Sequence, residues 1–282
     1  MESCRLLGHS AGGFHRVAYG LWRPPGRTAD AVVCVHGLTR NGRDFDDLAA
    51  ALAEAGWLVA CPDVVGRGDS DWLADPAGYI YPQYIADLTA LVARLGVDEI
   101  DWIGTSMGGL IGMMMAAQPQ TPIRRLVLND IGPFIPKAAI ERIASYVGSD
   151  PRFADLAEAE AYLRQIHAPF RVTDEQWRRL AAHSVRPDDG GRLRLRYDPG
   201  IAAAFAEPPF EDIDLWPLWD GIAVPTLVLR GAESDLLRPE TAAEMKTRGP
   251  KAEVIEIPRC GHAPMLMDEA QISAVRDWLS SV

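Results

Sequence analysis

The sequence predicts an α/β fold in which a mostly parallel, twisted sheet is flanked by helices. Two observations lead to this prediction: short apolar runs rich in β-forming residues, and helical patterns between them. Nearly continuous apolar character over a few residues is typical of a parallel strand buried on both faces. The runs are Ala31–Val35, Trp57–Cys61, Glu99–Ile103, Arg125–Asn129, Thr226–Arg230 and Ala252–Ile257. Strands that alternate with helices in this way indicate one α/β domain.

Apolar residues three and four positions apart predict the helices of this domain. The segments Phe45–Ala55 and Tyr84–Leu95 both show this spacing, and Gly96 follows the second as a stop signal. We expect further helices over Met107–Ala117 and Asp268–Leu279.

The alternation of strands and helices stops between about Pro133 and Gly221. This stretch is helical and more polar, with one short candidate strand. We therefore predict an α/β core formed by residues 1–132 and 222–282, interrupted by a helical cap over residues 133–221. Such insertions lie over the carboxyl edge of the sheet, where ligands bind. The helices predicted here are Lys137–Val147, Asp155–Ile166 and Asp174–His183, the last opened by a capping box of Thr173 and Gln176, and the strand is Leu193–Tyr197.

Composition and charge exclude several classes of protein. The 282 residues are 48% hydrophobic and 24% charged, which is typical of a folded globular chain. The formal net charge of −11 disfavours nucleic acid and anionic membrane surfaces as partners. The four cysteines show no metal-binding or redox spacing, and the N-terminal residues lack the apolar centre of a signal peptide. We expect a cytoplasmic protein with reduced thiols, no metal and no cofactor.

Ser106 is the candidate nucleophile. It stands in the string Gly104-Thr-Ser106-Met-Gly108, directly after an apolar run and directly before a helical segment. A G-x-S-x-G string in this position holds the serine on a tight strand-to-helix turn at the carboxyl edge of the sheet, and the glycines remove side chains that would collide. A glycine-rich turn with an incidental serine is the alternative.

A serine hydroxyl needs a base to accept its proton and a third group to orient that base. Of the six histidines, His262 alone lies in a loop after the last apolar run and before the C-terminal helix, so we predict that it is the base. His36 ends the first of the apolar runs and is expected to hydrogen-bond the loop backbone. His167 and His183 lie in the insertion, where they are expected to be exposed or to line the cleft.

Asp235 is the predicted acid of the triad. It follows the run Thr226–Arg230 within Gly231-Ala-Glu-Ser-Asp235, and the chain order Ser106, Asp235, His262 is the order that the serine motif predicts. Asp130, directly after a neighbouring run, is the rival acid. Glu233 is a weaker alternative, because the acid loop needs a few residues of reach beyond the strand.

A tetrahedral intermediate also needs donors for its oxyanion. The backbone N–H of Met107, the residue after the nucleophile, is one candidate. The N–H of Leu38, in the turn His36-Gly37-Leu38, is the other. From these residues alone an ordinary strand-to-helix turn remains the alternative.

Together these strings resemble those of the α/β-hydrolase superfamily, in its serine-nucleophile, capped and esterase-like bacterial form. They occur in the family's order and span nearly the whole chain. The resemblance favours Leu38 and Met107 as the oxyanion hole and implies that residues 133–221 are the family's variable cap. The matching strings are His36-Gly37-Leu38, Asp63-Val-Val-Gly66-Arg-Gly68-Asp-Ser70, Gly104-Thr-Ser106-Met-Gly108-Gly109, Gly231-Ala-Glu-Ser-Asp235 and Cys260-Gly261-His262.

The resemblance predicts a serine hydrolase that cleaves small to medium carboxylic esters through an acyl-enzyme. A lactonase, or a hydrolase of carbon–carbon bonds in ring-cleavage products, would use the same triad and is the alternative. A small-ligand receptor that has lost turnover is the alternative from another class. Aromatic residues in and beside the insertion predict an apolar pocket, with Phe134, Trp177 and Trp216 as candidate substrate contacts. We expect a monomer or a homodimer with a small-molecule partner.

Overall fold

A computed structural model describes residues 1–26, 30–167, 170–205 and 209–281 of the chain. Thirteen strands are present among these residues, eight of them in one sheet. In chain order the strands are β1 (Glu2–Ser10), β2 (Gly13–Trp22), β3 (Ala31–Val35), β4 (Leu58–Pro62), β5 (Ile100–Thr105), β6 (Ile123–Asn129), β7 (Phe134–Ile135), β8 (Arg152–Phe153), β9 (Val185–Pro187), β10 (Leu193–Leu195), β11 (Ile213–Asp214), β12 (Thr226–Gly231) and β13 (Glu253–Ile257).

The large sheet has the strand order β1-β2-β4-β3-β5-β6-β12-β13. Six neighbouring strands of this sheet, β4, β3, β5, β6, β12 and β13, pair in parallel. The other two, β1 and β2, form an antiparallel hairpin, and β2 also pairs antiparallel with β4. Parallel strands need crossover connections, and the helices that supply them cover the faces of the sheet. The predicted fold class, a mostly parallel sheet flanked by helices, is confirmed.

Two apolar clusters lie on opposite faces of the sheet. Along β3, Val32 and Cys34 belong to one cluster and Val33 and Val35 to the other, as the alternation of side chains along a strand requires. The described helices are α1 (Asp46–Glu54), α2 (Tyr81–Leu95), α3 (Met107–Ala116), α4 (Lys137–Ala144), α5 (Leu156–Ile166), α6 (Asp174–Ser184), α7 (Trp216–Asp220), α8 (Pro239–Met245) and α9 (Glu269–Ser281). Within the described ranges no helix is long and apolar enough to span a bilayer.

Within its described residues, the segment between β6 and β12 contains four α-helices, α4 to α7, a 3₁₀ helix over Pro199–Phe205 and two small sheets. Its strands pair in the orders β8-β10-β9 and β11-β7. Its buried side chains, Phe153 and Trp177 among them, belong to the same apolar cluster as one face of the large sheet. The segment therefore packs onto the sheet through a continuous apolar interior.

The sequence located most of the main elements but did not predict the N-terminal hairpin, the short helices α7 and α8 or the short strands β7, β8, β9 and β11. The six predicted strands appear with ends shifted by two residues or fewer, and α6 begins at the predicted capping box of Thr173 and Gln176. The hairpin β1–β2 was not predicted. Residues of β1 alternate between exposed and buried at the edge of the sheet, so β1 lacks the continuous apolar character used to find the other strands.

The turn between β5 and α3 shows why the glycines of the serine string are required. Ser106 has φ 51° and ψ −114°, a backbone conformation that non-glycine residues rarely adopt. A Cβ on Gly104 would lie 2.3 Å from the Gly108 carbonyl oxygen, and a Cβ on Gly108 would lie 2.0 Å from the Val35 carbonyl oxygen. Because the nearest atoms to both glycines are backbone atoms, a side chain at either position could be accommodated only by moving the backbone.

We expect Gly108→Ala to destabilise the protein by about 1–3 kcal/mol or more, the range for overpacking in a tight core. The added methyl group would push α3 away from β3. Thermal unfolding monitored by circular dichroism measures the effect. Gly12→Ala is the matched control, because a Cβ there meets nothing closer than 3.7 Å. Equal melting temperatures for the two variants would contradict this account of the turn.

Candidate active site

Ser106, His262 and Asp130 form a hydrogen-bonded chain at the carboxyl edge of the sheet. The Ser106 hydroxyl lies 3.0 Å from His262 Nε2, and His262 Nδ1 lies 2.7 Å from Asp130 Oδ2. The three residues come from the turns after β5, β13 and β6. With the hydroxyl donating to Nε2 and the Nδ1–H donating to the carboxylate, this geometry allows His262 to take a proton from Ser106.

Asp130 is fully buried, and hydrogen-bond donors surround its carboxylate. Oδ1 accepts from the Gly231 N–H at 2.7 Å, and Oδ2 accepts from the Ser234 hydroxyl at 2.6 Å as well as from His262. Burying a carboxylate is costly unless it is paired and hydrogen-bonded. The three donors meet that requirement and hold the turns after β6, β12 and β13 together.

The prediction that Asp235 is the partner of His262 is wrong, because the structure places the rival Asp130 there. The Asp235 side chain is half exposed and forms a bidentate ion pair with Arg142 of α4. Arg142 Nε lies 2.6 Å from Asp235 Oδ2, and Nη2 lies 3.0 Å from Oδ1. In the turn after β12, it is Ser234 that faces inward, towards Asp130. The available signal for Asp130 was its position directly after the buried strand β6, and the chain order Ser106, Asp130, His262 also satisfies the motif.

His36 holds the turn after β3 in place. Its Nδ1 donates to the Gly37 carbonyl at 2.7 Å, and its Nε2 accepts from the Val64 N–H at 2.9 Å. Burial, with the nearby guanidinium of Arg67, lowers the pKa of His36 to about 3, so the ring is neutral. The expectation that His36 hydrogen-bonds the loop backbone is confirmed.

Leu38 and Met107, the predicted oxyanion donors, both border Ser106 and share a contact with Arg67. Met107 is the first residue of α3, so its N–H lacks a partner within the helix. Arg67 is fully buried, donates to the Leu38 carbonyl at 2.9 Å and lies 3.6 Å from Met107 Sδ. The Leu38 N–H shares its peptide unit with the Gly37 carbonyl, which accepts from His36 Nδ1 at 2.7 Å, and Arg67 holds the next peptide through the Leu38 carbonyl.

Arg67 was not singled out from the sequence as a site residue. Its guanidinium lies over the rings of Tyr79 and Tyr84, at 5.7 and 5.1 Å from their centroids, and donates to the Tyr84 hydroxyl. Among the described residues no carboxylate forms an ion pair with it. The available signal was its place in the string Asp63-Val-Val-Gly66-Arg67-Gly68. A buried cation without a carboxylate partner in the described ranges makes its surroundings attractive to negative charge.

Two cavities meet at Leu38. The Ser106 cavity, of about 240 Å³, is lined by Ser106 and His262 together with α4 and the end of α5. The tyrosine cavity, of about 670 Å³, is lined by Tyr79, Tyr81 and Tyr84 together with Met107 and residues 209–214. Residues of the inserted segment therefore contribute to the lining of both cavities.

The three aromatic residues predicted to contact substrate line neither cavity. Trp177 and Trp216 are buried in the apolar cluster, with arginine guanidinium groups over their rings, and Phe134 pairs with β11 as part of β7. Those predictions are wrong, because the aromatic residues anchor the inserted segment to the core. The insertion instead presents Ile143, Tyr146, Ile166, His167 and Phe170 to the Ser106 cavity.

Comparison with known proteins agrees with this architecture. Residues 30–268 match the family model described as the alpha/beta hydrolase fold, so the chain belongs to that family. A 3-hydroxybutyrate-oligomer hydrolase of Cupriavidus necator is 49% identical over 273 residues, covering 94% of this chain and 92% of the relative. An esterase of Mycobacterium tuberculosis is 27% identical over 79% of this chain and 73% of its own length.

Among solved structures, a putative hydrolase from Rickettsia typhi superimposes with a TM-score of 0.93 at 33% identity, covering both chains fully. With relatives named hydrolases and esterases, the chain is an enzyme, a hydrolase that acts on ester bonds.

Two matched variants test the assignment of the acid. We expect Asp130→Asn to lower kcat for ester hydrolysis on the order of 10⁴-fold, because an amide no longer favours the His262 tautomer that carries its proton on Nδ1. Asp235→Asn, which loses an exposed ion pair, should change kcat less than about tenfold. Steady-state kinetics on one ester measures both. A larger loss in Asp235→Asn would return the role to Asp235.

The buried, neutral His36 predicts a specific pH dependence of stability. Below pH 6.5 the unfolded chain binds a proton at His36 and the folded chain does not until about pH 3, so the free energy of unfolding falls as pH falls. The contribution of one such group is up to about 1.4 kcal/mol per pH unit. His36→Gln should remove the part of the slope that His36 contributes, as measured by urea unfolding between pH 7 and pH 5, while other histidines with lowered pKa, such as His167, keep their own part.

The exposed His9→Gln is the control for this measurement. Asp63, whose pKa burial raises to about 6, contributes a slope of opposite sign between pH 3.8 and 6. Asp63 is present in every variant, so its contribution is common to all of them. The same pH slope in His36→Gln and in the unmodified protein would show that His36 is not held neutral.

Proposed function

We propose that this hydrolase cleaves short 3-hydroxy acid oligoesters by a serine mechanism, with Ser106 as nucleophile, His262 as general base and Asp130 as the acid that orients it. The observation that carries the mechanism is the chain of hydrogen bonds from Ser106 through His262 to the buried Asp130. The 49% identity to an oligomer hydrolase over nearly the full length of both chains supports the substrate class.

The first half of the reaction forms the acyl-enzyme. Ser106 Oγ attacks the ester carbonyl carbon as its proton passes to His262 Nε2. The carbonyl π electrons move to oxygen, and the N–H groups of Leu38 and Met107 stabilise that oxyanion. When the intermediate collapses, the bond to the alcohol oxygen breaks, and the alcohol leaves with the proton from His262. Asp130 stabilises the imidazolium while it is charged.

The second half releases the acid. A water molecule gives a proton to His262 and attacks the acyl carbon, and Ser106 leaves with that proton. Because His36 and Arg67 fix the turn that carries Leu38, the oxyanion donors are oriented before the substrate arrives. Oriented donors of this kind cost no reorganisation during the reaction, which is why they accelerate it.

Two cavities on either side of Leu38 support an oligomer as substrate. An ester within an oligomer has a chain on both sides of the scissile bond, so the site must hold an acyl unit and an alcohol unit at once. The Ser106 cavity and the tyrosine cavity provide separate spaces for the two. In this proposal residues 133–221 act as a cap, since residues of α4 and α5 line the Ser106 cavity.

We expect the dimer and trimer of 3-hydroxybutyrate to be hydrolysed with kcat/KM at least about tenfold above that of ethyl butyrate, because filling both cavities adds contacts in the transition state. Acid release at constant pH measures all three substrates. A lactone and a vinylogous diketone complete the panel, because the same three residues would serve those reactions. Faster turnover of either would replace the proposed substrate class.

A fluorophosphonate tests the mechanism independently of substrate, because it captures only an activated serine. Peptide mass analysis should locate one adduct, on Ser106, and Ser106→Ala should show no adduct and no ester hydrolysis. A folded protein without any adduct would contradict the serine mechanism. An adduct on Ser106 without hydrolysis of the oligomers would contradict only the substrate class.

A further inference from the structure

His167 lies on the wall of the Ser106 cavity and has no role in the mechanism proposed above. It follows the last turn of α5, and 9% of the residue is exposed. Its ring stacks on Phe170 at a centroid distance of 5.1 Å and contacts the edge of Tyr146 at 6.0 Å. Phe170 in turn stacks on Trp177, so this group of rings fixes the position of the imidazole.

The ring nitrogens of His167 have no hydrogen-bond partner among residues 1–26, 30–167, 170–205 and 209–281. Neither nitrogen is fully enclosed by protein, so both keep accessible surface on a residue that lines the Ser106 cavity, where water or a ligand group can bind them. Burial, with the positive charges of the Arg40 and Arg142 guanidinium groups nearby, also lowers the pKa of His167 well below its usual value. The ring is therefore neutral, with one N–H donor and one acceptor nitrogen.

The charges around the Ser106 cavity indicate which substrate group His167 meets. Arg40 is paired with Asp44 at 2.6 Å and Arg142 with Asp235 at 2.6 Å, so the two guanidinium groups in the wall are already neutralised. Glu233 adds an unpaired carboxylate to the lining. A substrate carboxylate would be repelled here, whereas a neutral hydroxyl both donates and accepts and so matches a neutral imidazole.

We propose that His167 hydrogen-bonds the free 3-hydroxyl of the terminal acyl unit and makes the enzyme select the hydroxyl end of an oligoester. This inference rests on the proposed function, because the hydroxyl belongs to that substrate class. With the terminal acyl unit in the Ser106 cavity beside His167, the ester next to that unit lies at Ser106. Cleavage then releases one 3-hydroxy acid at a time from the hydroxyl end of the chain.

The test compares ethyl 3-hydroxybutyrate with ethyl butyrate, which differ only in the hydroxyl. We expect the unmodified enzyme to prefer the hydroxy ester about five- to tenfold in kcat/KM, the range for one hydrogen bond to a buried group. His167→Phe keeps the ring stack and removes both nitrogens, so the preference should fall to about one. His167→Gln keeps a donor and an acceptor and should retain part of it.

The wild-type enzyme provides a test that no unfolded variant can obscure. Capping the terminal hydroxyl of the 3-hydroxybutyrate trimer as a methyl ether should slow hydrolysis, and the uncapped trimer should yield monomer and dimer with the monomer taken from the hydroxyl end. An unchanged rate on the capped trimer would overturn the inference. So would an equal loss on both ethyl esters in His167→Phe, because a purely structural histidine gives that result.

Different results would contradict the proposed substrate class and the proposed role of His167. If the enzyme hydrolyses ethyl butyrate and carries the Ser106 adduct but rejects all 3-hydroxy acid oligomers, the proposed substrate class is wrong. If it hydrolyses the oligomers without regard to the terminal hydroxyl, the substrate class stands and the role of His167 is wrong.

Discussion

The site depends on one buried carboxylate, that of Asp130. Its two oxygens accept hydrogen bonds from the Gly231 backbone, the Ser234 hydroxyl and His262. A carboxylate with no solvent exposure is stable only when donors replace its lost water. That need brings three turns to one point, because Asp130 follows β6, Gly231 and Ser234 lie at the end of β12 and in the turn after it, and His262 follows β13. The imidazole that faces Ser106 is positioned as a result.

A second group of buried polar residues holds the turns after β3 and β4 together. His36 is neutral and connects the turn after β3 to the turn after β4 by accepting a hydrogen bond from the Val64 N–H. The Arg67 guanidinium donates to the Leu38 carbonyl. The two residues have different roles. His36 holds the backbone without a charge, and Arg67 places a buried positive charge beside the Leu38 carbonyl and the Met107 side chain. A parallel sheet makes both possible, since the turns at the carboxyl ends of its strands are neighbours.

The inserted segment combines anchoring with recognition. Its tryptophans lie in the apolar cluster and attach it to the core, whereas the side chains at the ends of α4 and α5 face Ser106. The Arg142–Asp235 pair joins α4 to the turn after β12 and neutralises a charge that would otherwise face the substrate. The cavity that results is bordered by paired charges, aromatic rings and one imidazole without a hydrogen-bond partner in the described part of the chain.

Local sequence determined the elements of this protein and two of the three residues in the hydrogen-bonded chain. Buried strands, the capping box of α6 and the tight turn at Ser106 all depend on contacts between residues near in sequence, and such patterns are visible in a single chain. His262 was identified because its loop position was unique among the histidines. The N-terminal hairpin was not predicted, because its half-exposed first strand shows a weaker apolar signal.

Only the tertiary structure decided between Asp130 and Asp235, and between anchoring and substrate contact for the aromatic residues. Both aspartates follow buried strands, so the sequence offered the same signal for each. The difference arises where the turn after β12 directs Ser234 inward and leaves Asp235 to pair with Arg142, a residue 93 positions away. Direction of this kind depends on which distant elements pack together, and residue spacing along the chain carries no record of it.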